Sequence, residues 1–241
     1  MKKALIILMV LPLFAVAQMT EGLLDLTEIT VKQGHNAQFL DGVKQWKACY
    51  NEENGTDNWS FWSRVQGEGS VYGISSNMVN WAEMDKEDTA GKTCNMIVMN
   101  FIMPHVEKID YNITKNLTDW SKKSESTDTK LVWVTYFRVK NNMLFNEIIK
   151  EMTDVITTVE GEPRGQWYSF MGGGENTPNY MVSDLFTGYA GIDEDEKRDG
   201  PFALYKKVKG DKKASQLMDK WMNAVDGQWS YLWKLNEELS N

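Results

Sequence analysis

Apolar positions recur along the chain with two different periods. Leu24 to Val31 and Leu131 to Val139 are rich in β-branched and aromatic residues and read as strands. The second is a near-continuous apolar run, the pattern of a strand buried on both faces. Each leads into a helix. Phe39, Val43, Trp46 and Tyr50 recur at spacings of four, three and four, and Phe145, Ile149, Met152, Ile156 and Val159 do likewise. Each helix therefore carries one apolar stripe that a sheet must cover. Two strands follow in each case: Trp59 to Val65 then Ser70 to Ser76, and Gln166 to Met171 then Tyr180 to Phe186. Glycine-bearing turns, Gly67-Glu68-Gly69 and Gly172-Gly173-Gly174 with Pro178, separate them. A closing helix is expected from Thr93 to about Ile109 and from about Lys213 to Leu239, the latter on the stripe Leu217, Trp221, Val225, Trp229 and Leu232 or Trp233. A fourth short strand in each set is left open, since the pattern does not fix its position.

The two sets match residue by residue. Thr27, Val31 and Lys32 meet Thr135, Val139 and Lys140 at an offset of 108; Trp59, Trp62 and Tyr72 meet Trp167, Phe170 and Tyr180; Trp81, Ala82 and Asp85 meet Tyr189, Ala190 and Asp193. The helices are out of step by two, so that Phe39, Val43 and Lys44 meet Phe145, Ile149 and Lys150. The unit is β-α-β-β-α, repeated once. Between the copies Tyr111 to Lys130, with its polar run SKKSESTDTK, reads as a linker. The expected organisation is a leader over 1–17, a first unit over 18–122 and a second over 123–241. Each unit alone would expose an aromatic sheet face. Burying one large side chain is worth roughly 1.5–3 kcal/mol, so the faces are expected to pack together.

Two lysines, an apolar run from Ala4 to Ala17, and small residues at Ala15 and Ala17 before Gln18 form the three-part layout of a secretory signal peptide. The run is too short to span a bilayer, and no later stretch reaches about 18 apolar residues, so no integral membrane segment is expected after cleavage. The leader has a bacterial look, which places the chain in the periplasm or outside the cell. The formal charge of −8 opposes the phosphate-neutralising surface that nucleic acid requires, and no nucleic-acid partner is expected. The two cysteines, Cys49 and Cys94, are an even pair that an oxidising compartment lets close. The expected helices put them near opposite ends of roughly parallel segments, and a bridge needs Cα atoms within about 7 Å; the loop between can bend back, and a structural Cys49–Cys94 disulfide is the favoured expectation.

With its Val-Lys strand exit, Phe-x-x-x-Val/Ile-Lys helix, Trp-led second strand and Trp/Tyr-Ala-x-x-Asp end, the repeated unit resembles the dimeric α/β-barrel group of ferredoxin-like domains, which includes NIPSNAP-like and antibiotic-biosynthesis-monooxygenase-like proteins. The resemblance covers residues 24 to 109 and 131 to 239. It implies an α+β fold in which two tandem ferredoxin-like units pack sheet to sheet as a single-chain barrel. The group holds cofactor-independent oxygenases, haem-linked enzymes, isomerases and ligand binders, and the fold does not choose among them.

Candidate chemistry is sparse. His35, where a strand hands over to a helix, can face a pocket or sit in a solvated turn; His105 reads as a partly buried helix residue. Two isolated histidines do not make a zinc or non-haem iron site, and no metal and no cofactor is expected. The run Asp193 to Gly200 places Lys197 and Arg198 where a calcium loop needs oxygen and glycine, and reads as a solvated loop. Ten Trp and nine Tyr stand out. Trp59, Trp62, Tyr72, Trp81, Trp167, Tyr168, Tyr180 and Tyr189 lie on or beside strands and, with His35, are candidates for a pocket holding a small apolar or aromatic ligand. Plain core packing accounts for the same residues. Two functions remain open: an exported small-molecule binder, with oxygenase-like chemistry not requiring a cofactor, or a non-catalytic extracytoplasmic structural or interaction protein.

Overall fold

The structure, a computed structural model, describes residues 22–123 and 128–241. The expected leader and its cleavage point lie outside the described residues. Eight antiparallel strands close into a barrel: β1 (Leu23–Val31), β2 (Ser60–Arg64), β3 (Ser70–Met78), β4 (Val106–Asn116), β5 (Leu131–Val139), β6 (Gln166–Phe170), β7 (Tyr180–Phe186) and β8 (Val225–Leu235). The ring order is β1-β3-β2-β8-β5-β7-β6-β4. Read as quartets, the fourth, first, third and second strands lie side by side twice over, and the second strand of each quartet pairs with the fourth of the other. β1 and β5 stand opposite each other and run in the same direction. Their pairings with β4 and β8 each slip once, between Thr30 and Val31 and between Arg138 and Val139, which are the same two places at the offset of 108.

Six α-helices lie outside the barrel among the described residues: α1 (Asn36–Glu52), α2 (Thr89–Ile97), α3 (Asn142–Glu160), α4 (Tyr189–Asp195), α5 (Pro201–Lys209) and α6 (Asp211–Ala224). α3 begins where Asn141 accepts a hydrogen bond from the Leu144 amide at 3.1 Å, and ends on Gly161 at φ 91°. Its stripe, Phe145, Ile148, Ile149, Met152 and Val155, is buried against Phe137, Tyr205, Leu217 and Ala224. α1 does the same in the first half with Phe39, Val43 and Tyr50 against Ile29, Val31, Phe61 and Tyr72. Cys49 in α1 and Cys94 in α2 are joined by a disulfide, with Cα atoms 6.0 Å apart.

Three expectations change. The fourth strand of each quartet is long, because both closing helices stop early. After α2 the chain makes a π turn over Val98–Ile102 and a 3-10 turn over Met103–His105, then enters β4. Pro104 has no amide to donate and cannot carry the helix on, and Val106 onward alternates between the two sheet faces. α6 ends at Ala224, and Trp229 and Trp233 belong to β8. The second change concerns the segment taken as a linker. Tyr111–Asn116 completes β4, and residues 117–122 are laid along β6, with the Leu117 amide on the Trp167 carbonyl at 2.8 Å and the Lys122 amide on the Gly165 carbonyl at 2.8 Å. Trp120 packs into the second-half core. Residues 124–127 are not among those described. Third, the single-chain barrel that the resemblance implies is present, but the halves meet in it edge to edge as one hydrogen-bonded ring rather than face on face.

Candidate functional site

Alternation along each strand sends one set of side chains outward to the helices and the other into the barrel. The inward set is aromatic and apolar: Val71, Val132, Val134, Tyr136, Met181 and Trp233 are buried, with Leu24, Leu26, Trp62, Tyr168, Phe170, Trp229 and Tyr231 packed against them. Gly73 makes room for this filling. A Cβ there would stand 3.2 Å from the Trp233 ring.

Three charged side chains, Glu28, Arg64 and Arg138, interrupt the ring of aromatics. Glu28 points inward from β1, and the Tyr136 hydroxyl, from the opposite strand β5, donates to its Oε1 at 2.9 Å. The Tyr136 ring stacks on Trp229 at 5.7 Å and has Tyr231 and Phe170 at 6.3 and 6.4 Å. Burial raises the Glu28 carboxyl above its ordinary value, against the smaller opposing effects of the Tyr136 hydrogen bond, Arg64 and Lys108; Asp110 adds to the rise. Burial likewise holds the Tyr136 hydroxyl well above 10, reinforced by the Glu28 charge. Arg64 lies 4.5 Å above the Tyr231 ring and Arg138 5.6 Å from Trp229. Glu28, Trp62, Tyr168, Phe170, Trp229 and Tyr231 are only half-buried, so solvent reaches into the lumen.

Several inward polar atoms have no hydrogen-bond partner among the described residues: both amide atoms of Asn116, Arg138 Nε, Gln166 Oε1 and Trp233 Nε1. Buried groups of this kind call for a polar partner. At the barrel end where the β6–β7 turn lies, an open cleft of about 480 Å³ is lined by Arg138, Phe170, the Gly172–Gly174 turn, Glu175 and Tyr180.

The candidates singled out from the sequence do not line one space. Trp59 and Tyr72 are in the first-half core under α1, where the Trp59 indole donates to the Leu239 carbonyl at 2.8 Å. Trp167 and Tyr180 pack under α3. Trp62 and Tyr168 alone of the set face the lumen, with Trp62 Nε1 on Ser75 Oγ at 2.9 Å. Trp81 and Tyr189 are exposed, at 48% and 52%. His35 meets His105, Nδ1 to Nδ1 at 2.8 Å, in the first half and outside the aromatic ring; His105 ends a 3-10 turn and is not on a helix. Sequence reasoning passed over Glu28, Tyr136, Arg64, Trp229 and Tyr231. A signal for the first two was present: they occupy equivalent positions at the offset of 108, and Glu28 is a lone acid at an inward position between Leu26 and Thr30.

The fold thus defined is an α+β, ferredoxin-like antiparallel barrel. No known protein family matches the chain, and no curated protein matches it. Among solved structures it is similar to a Fusobacterium nucleatum protein described as a "putative monooxygenase" (TM-score 0.54, 14% identity, 90% of this chain and 93% of that one). It is also similar to an anthrone oxidase-like protein (TM-score 0.51, 10% identity, 91% and 93%). A third is a mutant chlorite dismutase from Candidatus Nitrospira defluvii (TM-score 0.54, 7% identity, 92% and 95%). These likenesses establish the fold.

Haem, known in the group the sequence resembles, does not fit the residues present. The layer between sheet and helices in the second half is filled by rings, with Phe145 on Tyr180 at 4.7 Å and Phe137 on Trp167 at 5.6 Å. The two histidines face each other in the first half, and both cysteines are bridged. Among the described residues no three His, Cys, Asp or Glu side chains converge to hold a metal, and no helix is long and apolar enough to cross a membrane.

Proposed function

We propose that the chain is an exported small-molecule-binding protein whose site is the barrel lumen, and that Glu28 there acts as a base toward a hydroxylated aromatic ligand. The observation that carries this is the Glu28–Tyr136 hydrogen bond inside a ring of Trp and Tyr side chains that solvent reaches. A carboxylate whose pKa burial has raised accepts a proton more readily than an exposed one. Taking the proton of a ring hydroxyl leaves an electron-rich phenolate, the form of such a ring that reacts with dioxygen. Chemistry of this class agrees with the names of the monooxygenase and anthrone oxidase-like neighbours. Trp229 and Trp62 would stack the ligand ring, and the unpartnered Asn116 amide and Trp233 indole offer it hydrogen bonds.

Export is supported by the leader-like start and by the Cys49–Cys94 bridge, which suits an oxidising compartment. An origin by tandem copying is supported by the repeated strand order and the paired register slips. The test is a thermal-shift and oxygen-uptake survey of hydroxylated aromatics against the intact protein and Glu28→Gln. A ligand that stabilises both proteins and is consumed with oxygen only by the intact one is expected. If no aromatic shifts the melting point, the non-catalytic structural role takes its place.

A further inference from the structure

At the barrel end where the β6–β7 turn lies, Arg138 is a cation without a counter-ion. It follows Tyr136 by two on β5 and so faces the same side of the sheet. Its Nη2 donates to the Asn176 carbonyl at 3.3 Å, its Nη1 makes no hydrogen bond among the described residues, and its Nε is buried with no partner. One of five guanidinium N–H donors is therefore in use. Among the described residues no carboxylate lies within 4 Å of it, and its other neighbour is the Trp229 ring. The remaining cations of this end are engaged. Lys108 is 2.6 Å from Asp110, and Arg64 donates to the Glu68 carbonyl, lies over Tyr231 and offsets the charge of Glu28.

Arg138 is also the one cation among the residues lining the open cleft of about 480 Å³, whose wall includes Gly172, Gly173 and Gly174. Gly172 and Gly173 hold positive φ, 97° and 124°, and the amides of all three glycines make no hydrogen bond among the described residues. Successive free amides beside a guanidinium suit an oxyanion. Phe170 belongs both to this wall and to the lumen lining, so the cleft opens onto the lumen. We infer that this mouth holds the carboxylate of an aromatic acid, with Arg138 as its counter-ion and the glycine amides as further donors. The inference rests on the lumen being the ligand site and names the ligand class, a hydroxyaryl carboxylate. Tyr136 and Arg138, two residues apart on one strand, have Cα atoms about 7 Å apart, the span of a benzene ring with a substituent at each end. The ring hydroxyl then lies toward Glu28 and the carboxylate toward Arg138. A doubly charged phosphate is less well matched, since it would meet a single cation with the exposed Glu175 in the same wall. The position equivalent to Arg138 at the offset of 108 is Thr30, so the anchor belongs to the second half alone.

The test is calorimetric and NMR titration of the full chain with para-hydroxybenzoate and its neutral counterpart para-hydroxybenzamide, for the intact protein, Arg138→Gln and Arg138→Lys. The acid should bind the intact protein at least tenfold more tightly than the amide, moving the Gly172–Gly174 amide signals and the Trp229 indole signal together. Arg138→Gln should bring the acid down to the affinity of the amide and leave the amide's own affinity unchanged, which also shows that the variant keeps its lumen. Arg138→Lys, with the charge but not the planar fork, should fall between. Equal affinity of acid and amide for the intact protein, or a preference for the acid that survives Arg138→Gln, would overturn this inference and leave the lumen as the ligand site. Failure of both compounds to bind would overturn the lumen reading and this inference together.

Discussion

The Cys49–Cys94 bridge closes a loop with a sequence separation of 45, and that length sets the effect of opening it. The loop takes in β2, β3 and the turn leading to α2, so the bridge ties the end of α1 to α2 outside the first half of the barrel. In the chain-entropy account, a cross-link over about 45 residues removes roughly 13 cal/mol/K from the unfolded ensemble, or about 4 kcal/mol at 25 °C. With an unfolding entropy of about 2.1 cal/mol/K per residue, a chain of this size should lose roughly 9 °C of melting temperature when the bridge is absent. Because the chain has only two cysteines, the Cys49→Ser/Cys94→Ser variant and chemical reduction of the intact protein must agree. Calorimetric melting under both conditions measures the loss. Urea unfolding should show a larger denaturant slope in the open form, since its unfolded chain exposes more surface. A loss below about 2 °C with an unchanged slope would refute the reasoning, because the loop would then not be constraining the unfolded state.

Glu28→Gln should raise stability at pH 7–8. The folded-state pKa of Glu28 lies above the ordinary 4.5, so the cost of burying its charge is fully present above the raised value and absent below the ordinary one. The melting-point gap between the two proteins should therefore shrink as the pH falls toward 4.5, and a gap constant with pH would remove Glu28 as a buried carboxylate. Phe145→Ala, at a fully buried position amid Phe137, Trp167, Tyr180 and Trp221, should cost about 3–5 kcal/mol in urea unfolding. Gly73→Val should force Trp233 from its place against β3, destabilising by about 1–3 kcal/mol and shifting tryptophan emission.

Helices α1 and α3 and six of the eight strands were legible in the sequence because their periods differ cleanly. α1 and α3 carry stripes at three and four, while β1 and β5 are dense with β-branched residues. β8 was hidden for a physical reason. Trp229 and Trp233 are spaced by four, which keeps one face of a helix and equally one face of a strand. Tyr231, completing the two-residue alternation with Trp229 and Trp233, was the discriminating residue, along with the helix-averse Asp226-Gly227 at the switch. β4 was hidden because its outward face bears Ile109 and Tyr111 in the open, at 44% and 51% exposure, so its polar positions turn inward and no buried stripe marks it. The site suffered most. Aromatic abundance drew attention to strand residues as a class, yet a barrel sends alternate residues to different places, and only closure of the ring decides which face is lumen.

Closure also gives the Glu28–Tyr136 pair its meaning. β1 and β5 hold the same rank in their quartets, stand opposite in the ring and run the same way, so equivalent positions look at each other across the lumen. The register agrees: Glu28 pairs with Gly73 and Tyr136 with Met181, the same step in each half. Two glutamates at these places would face each other as like charges in a poorly solvated space, each raising the other's pKa. Two tyrosines would hold no acid. One of each gives a carboxylate with a donor already placed on it, and the donor's ring stacked on Trp229 fixes its direction. The departure from equivalence at these two positions therefore leaves the lumen with one carboxyl group here in place of two or none. Tyr136→Glu should then expose the conflict directly: the two carboxyls should titrate in separated steps, one well above the ordinary range, read by NMR of the side-chain carboxyl carbons. A single unshifted titration would mean that the two positions do not meet.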